Sequence, residues 1–143
     1  MVNAICEHIV PADQDPGAAW AGVVTYIDRQ LTRHYRKLQP VYRAGLAAID
    51  ATAAKLHGKT FLALSPAVQL DVLKLVEKNK APADLWKDLG QGEFFAMLVD
   101  HTMQGFYGGP RHGGNRDAAS WKMIGVANPP VRGRAHYEFP PES

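Results

Sequence analysis

Apolar and polar positions along the chain alternate with a helical period, interrupted by dense clusters of turn formers. Trp20, Val23, Val24, Ile27 and Leu31 form one apolar stripe while Asp28, Arg29 and Gln30 face elsewhere, the mark of an amphipathic helix. The cluster Pro11, Asp13, Asp15, Pro16 and Gly17 precedes it, so the helix is predicted to begin near Pro16. A short amphipathic stretch at Met1 to Val10 comes before that boundary. Pro40 suits the first turn of a next helix, whose core positions are Tyr42, Leu46, Ile49, Ala53 and Leu56 and whose stop is Gly58. Ser65 followed by Pro66 reads as a capping hydroxyl with proline at the first helical position. That helix should run to about Lys78 and bury Leu70, Leu73 and Val76 or their neighbours. A further helix is predicted over Glu93 to Gln104, with Phe94, Phe95, Leu98, Thr102 and Phe106 on one face.

No segment shows the period-2 alternation of a strand. The connections are short, so the pattern predicts an all-α fold, an irregular bundle of about four to five helices in a single domain spanning residues 1–143. Pro129, Pro130, Pro140 and Pro141 forbid a sustained helix, and residues 126–143 are predicted to form an extended tail.

Composition narrows the functional classes. With 143 residues, 46% of them apolar and 21% charged, the chain has the make-up of a folded domain rather than a disordered one. The net charge of +2 is small, and the cations are dispersed except between Arg29 and Lys37, which reads as a solvated helix end rather than a nucleic-acid footprint. No apolar run reaches the roughly 18 residues of a membrane span. Cys6 is the single cysteine; it is either an internal buried thiol or the anchor of a disulfide to another chain. Residues 1–10 lack the basic and apolar regions of a secretory leader.

One segment does not read as core. Between Gly105 and Gly114 five of ten residues are glycine, interleaved with Phe106, Tyr107, Pro110, Arg111 and His112. Three uses fit such a loop. Glycine amides with Arg111 or Arg116 form an anion cradle, although no phosphate-binding G-x-x-x-x-G-K-[ST] motif is present. Alternatively, rigid aromatics and arginines form a docking surface. In the third, the loop only reverses the chain and packs Trp121, Met123 and Ile124 of a following short helix onto the bundle.

The stretch GFYGGPRHGGNRDAASWKMIG, from Gly105 to Gly125, resembles the signature of the gluconate 2-dehydrogenase subunit 3 family. IVPAD at Ile9 to Asp13, LSPAVQLDVL at Leu64 to Leu73 and FFAMLVDHTMQGFYG at Phe94 to Gly108 recur in family order, so the resemblance covers most of the chain. Its most specific elements are the Gly113-Gly114-Asn115-Arg116 turn and the ending Trp121 to Gly125. His112 departs from the pattern, standing where an aromatic is commoner.

The resemblance implies a non-catalytic small subunit with no cofactor of its own. FAD would belong to a large catalytic flavoprotein of the glucose-methanol-choline (GMC) type, with a multihaem cytochrome c as a further partner. It implies that the small subunit supports folding, stability and twin-arginine export of the flavoprotein. The expected location is the periplasm, associated with the inner membrane through the complex, and the leader, absent here, would have been removed. Such co-export calls for an interface above about 2,000 Å² in total. The docking residues expected are Phe106, Tyr107, Arg111, His112, Asn115, Arg116 and Trp121.

Two other readings stand beside this one. A small independent metal- or anion-binding enzyme would use the Gly105–Arg116 loop and some of His8, His34, His57, His101, His112 and His136. The sequence has no H-E-x-x-H, no cysteine-rich ligand set and no Gly-x-Ser-x-Gly elbow, and His112 with His136 is the nearest thing to a ligand pair. A nucleic-acid binder would use Arg29, Arg33, Arg36 and Lys37 with Tyr35.

Overall fold

The computed structural model describes residues 1–126. The tail expected at 126–143 and His136 thus lie outside the described residues, Val126 apart. Six α-helices and no strand make up the described part: α1 Val2–Ile9, α2 Val23–Leu31, α3 Gln39–His57, α4 Pro66–Glu77, α5 Gln91–Tyr107 and α6 Ala119–Met123. The chain has the all-α architecture that its periodicity predicts. The helix beyond the expected four or five is the five-residue α6.

Local chemistry accounts for the middle of the chain. Pro40 opens α3, and Gly58 closes it in the left-handed conformation at φ 69°, which costs glycine nothing. Ser65 Oγ accepts the Val68 amide at 3.5 Å to cap α4, with Pro66 at its first position. Gln69 then turns inward from α4. Its amide nitrogen donates to the carbonyls of Phe61 and Leu64, and its Oε1 accepts from His8 Nε2 at 2.8 Å, fastening α1 to the connection before α4.

α2 departs from its prediction. It begins at Val23, not near Pro16, because residues 18–22 run in turns and Gly22 takes φ 74° immediately before the helix. The carboxylate of Glu7 holds this connection by accepting the amides of Ala12 and Ala19. Trp20 therefore leaves the stripe and is 44% exposed. Leu56, expected in the core, is also exposed because it lies in the last turn of α3, beyond the packed length, and Leu70 sits at the surface while Val72 joins Leu73 and Val76 inside.

α5 is the central helix, packed against α1, α2, α3, α4 and α6. Phe94, Leu98 and Phe106 bury their side chains along it, and Phe94 lies against Gly45 of α3 so closely that a β-carbon there would enter its ring. Phe61, Ile49, Val23 and Ile5 complete a core drawn from every long helix. Among the described residues no buried side-chain polar atom lacks a hydrogen-bond partner, as expected of a well-formed interior.

Two polar groups sit deep in this core. Cys6 is buried and its Sγ accepts a hydrogen bond from Thr102 Oγ1 at 3.3 Å. Burial raises its pKa, against the smaller opposing effect of Thr102, so the thiol stays protonated inside the bundle. Of the two roles open to Cys6, this placement fits the internal thiol.

His101 carries the ring of Tyr35 stacked on its face at 4.4 Å, and at its edge the Tyr42 Oη lies 2.7 Å from His101 Nδ1. Burial pushes the Tyr42 pKa up, so its hydroxyl keeps its proton and donates to the neutral imidazole. Burial also lowers the His101 pKa below 6.5, with the Asp100 charge opposing it. The unfolded chain therefore takes up this proton first as pH falls. Stability is expected to decline from about pH 6.5 downward, at up to about 1.4 kcal/mol per pH unit, until the folded imidazole protonates as well. Urea denaturation between neutral pH and about pH 5 should show this slope, and His101→Gln should flatten it.

Candidate partner-docking site

The glycine-rich loop starts where α5 ends. At Gly105 the helix lies close to α2, and a β-carbon there would sit 2.9 Å from Tyr26 Cδ1 and 3.0 Å from Val23 Cγ1. The loop then doubles back over the same spot. Gly114 lies directly against the backbone of Gly105, with the carbonyl oxygen of Gly105 in the place a Gly114 β-carbon would need. Arg116 N donates to Ala21 O at 3.0 Å, tying the loop to the turn before α2. The segment thus packs across the junction of α2 and α5.

Its backbone is held in an uncommon shape. Gly113 at φ 109°, Asn115 at 50°, Asp117 at 54° and Ala118 at 55° place four of six consecutive residues at positive φ, a conformation costly to non-glycine residues. Asn115 offsets that cost. It is fully buried, its Nδ2 donates to Gly108 O at 2.9 Å, and its Oδ1 accepts both the amide of Ser120 at 3.0 Å and the Ser120 hydroxyl at 2.8 Å. One side chain therefore joins the end of α5 to the start of α6. Trp121 Nε1 adds a second tie by donating to Tyr107 O at 2.9 Å.

The seven residues expected to dock a partner divide into two groups. Phe106 and Asn115 are buried: Phe106 belongs to the α5 core stripe and Asn115 to the internal bracing of the loop. Tyr107, Arg111, His112 and Arg116 are exposed and Trp121 is half-buried. Arg111 Nε donates to His112 Nε2 at 3.0 Å, and the guanidinium of Arg116 lies 5.4 Å from the ring centre of Trp20, a cation–π distance. The structure adds surface that sequence reasoning missed. Trp20 lies under Arg116, and Met123, Ile124 and Val126 are exposed, so α6 does not pack Met123 and Ile124 onto the bundle. Ile124, 53% exposed, is the most open of these. Its neighbours in the helical pattern offered no signal for which way so short a helix would turn.

Among the described residues no group of three histidine, cysteine or carboxylate side chains is placed to hold a metal ion. Asp100 and His101 diverge, the first exposed and the second buried. No helix among the described residues is long and apolar enough to cross a membrane.

The profile described as gluconate 2-dehydrogenase subunit 3 matches residues 1–128, and the chain belongs to that family. It is thus of the kind that forms a subunit of a dehydrogenase complex. Comparison with curated proteins and with solved structures gives no match.

Proposed function

We propose that the chain is the non-catalytic small subunit of a periplasmic FAD-dependent, GMC-type sugar or polyol dehydrogenase, supporting the folding, stability and twin-arginine export of its flavoprotein. In this reading the flavin belongs to the large subunit, and a multihaem cytochrome c is a further member of the complex. The observation that carries it is the loop face. Tyr107, Met123, Ile124 and Val126 are large side chains left in solvent on a segment whose backbone is rigidly braced from beneath. Exposed apolar side chains on a rigid base, flanked by Arg111 and Arg116, have the composition of an interface centre.

Co-expression with the flavoprotein tests the reading. Soluble, FAD-loaded dehydrogenase should require this chain, and the chain alone should turn over no sugar. Ile124→Glu changes an exposed side chain without touching the core and should weaken the complex by roughly thirtyfold, the effect of losing a hot-spot contact of about 2 kcal/mol. A flavoprotein that folds, loads FAD and is exported equally well alone would end the proposal.

A further inference from the structure

Charge is distributed unevenly over the molecule. Sixteen lysines and arginines face fourteen acids in the whole chain, yet Arg29, Arg33, Arg36, Lys37 and Arg43 lie between residues 29 and 43 with no acid among them. The remainder of the chain therefore carries eleven such cations against fourteen acids.

A helix end accounts for only one of the five. Arg29 lies in the last turn of α2, where a cation complements the helix dipole. Arg33 falls in the turn beyond it, Arg36 and Lys37 in a 3-10 turn at Arg36–Leu38, and Arg43 inside α3. Arg36 and Lys37 thus sit at the amino end of the 19-residue α3, which has no acid in its first turn. There the dipole adds to their charge instead of offsetting it. Among the described residues the single ion pair joins Lys55 and Asp84, so none of the five cations is in an ion pair, although exposed Asp28 lines the same hollow as Arg43.

These cations stand on a fixed base. Tyr35 N donates to Gln30 O at 2.7 Å, Gln39 Nε2 donates to Leu31 O at 2.8 Å, and the hydroxyls of Tyr26 and Tyr35 both donate to Gln104 Oε1. Leu31, Leu38 and Val41 pack inward against the core. All five cations and His34 are exposed, whereas no large exposed hydrophobic lies in this stretch.

We propose that the turn carrying Arg33, Arg36 and Lys37, between α2 and α3, docks the protein peripherally on a bilayer containing anionic phospholipid. A protein partner would need an apolar centre to bury, and this turn offers none. Single-stranded nucleic acid would need a free aromatic platform, and Tyr35 is already committed to His101 and Gln104. A plane of headgroup phosphates requires neither. It is recognised by arginine and lysine at close range, at roughly fivefold in affinity per cation near the surface. Arg29 lies against Gly113 of the glycine loop and so borders the docking face; the lipid contact rests on Arg33, Arg36 and Lys37 and stands apart from the dehydrogenase reading.

Vesicle co-sedimentation with the full chain tests it. The protein should bind phosphatidylcholine vesicles that contain phosphatidylglycerol at low salt, release them at about 0.5 M salt, and ignore vesicles of phosphatidylcholine alone. Arg33→Ala, Arg36→Ala and Lys37→Ala combined should weaken binding by roughly a hundredfold. Removing three exposed cations elsewhere, with Lys74→Ala, Lys78→Ala and Lys80→Ala, should change it far less. Matching thermal transitions would show that both variants are folded. Failure to bind the anionic vesicles, equal binding to the neutral ones, equal loss in the two variants, or equally tight capture of nucleic acid at the same salt would each overturn the proposal.

Discussion

Replacing Asn115 with alanine is expected to release the segment from Gly109 to Val126 from the bundle while leaving the core folded. The substitution removes three hydrogen bonds at once and strands the Gly108 carbonyl and the Ser120 amide and hydroxyl, two of them otherwise out of reach of water. Each buried polar group left without a partner costs roughly 1–3 kcal/mol. Alanine at φ 50° adds roughly 1–2 kcal/mol of left-handed strain. The loss should total about 4 kcal/mol, enough to raise the population of the open loop by about a thousandfold. Hydrogen exchange reads it directly: amide protection at Ser120 should collapse while α3 and α5 keep theirs. Asn115→Gly separates the two causes, because it relieves the strain but restores no hydrogen bond, and it should recover only the smaller part. Unchanged protection at Ser120 in the alanine variant would show that the brace does not depend on this side chain.

Gly114→Ala is expected to displace the same loop by another route. The added methyl group has no space beside the Gly105 carbonyl, and both partners are backbone, so neither can rotate away. Either the loop lifts or the end of α5 shifts, at about 3 kcal/mol, the upper range of overpacking costs. Because Gly105 also lies against Val23 and Tyr26 of α2, the strain reaches the α2–α5 contact, and the urea midpoint should fall. In co-expression the variant should also lose the flavoprotein, whereas Gly58→Ala, at a site with open space around it, should cost stability through its backbone alone and keep the partner. Retention of the partner by Gly114→Ala would detach the loop from docking.

The parts legible in the sequence are those whose causes are local. Pro40 and Gly58 bound α3, and Ser65 with Pro66 starts α4, because caps act within a turn of themselves. The start of α2 is set instead by Glu7, whose carboxylate organises amides at positions 12 and 19. No periodicity in the 16–31 stretch reports such a contact. The trio of Tyr35, Tyr42 and His101 was invisible for the same reason, since α5 meets residues 59 and 66 positions earlier in the chain. The glycine loop stood out as non-core, but its division into brace and face did not. Phe106 carried a usable signal, falling one turn beyond Thr102 on the buried stripe. Asn115 carried one too, since asparagine after two glycines favours a left-handed turn. Nothing comparable marked Trp20, which is brought beside Arg116 by a turn.

The reciprocal bonds between Gln91 and Ala81 have an implication for how the chain tolerates change. Ala81 N donates to Gln91 Oε1, and Gln91 Nε2 returns a bond to Ala81 O, so one side chain imitates a rung of backbone pairing and ties the two ends of the connection between α4 and α5. The excursion from Pro82 to Gly90 is thus a detour that leaves and rejoins the bundle at a single knot. Residues can be gained or lost within it without altering the register of the helices on either side, apart from Asp84, paired with Lys55, Trp86, whose indole is pinned to Thr52, and Leu85 and Leu89, which pack against the core. Length variation among relatives should gather in this detour and spare the loop after α5, which Asn115, Arg116 and Trp121 tie to the bundle.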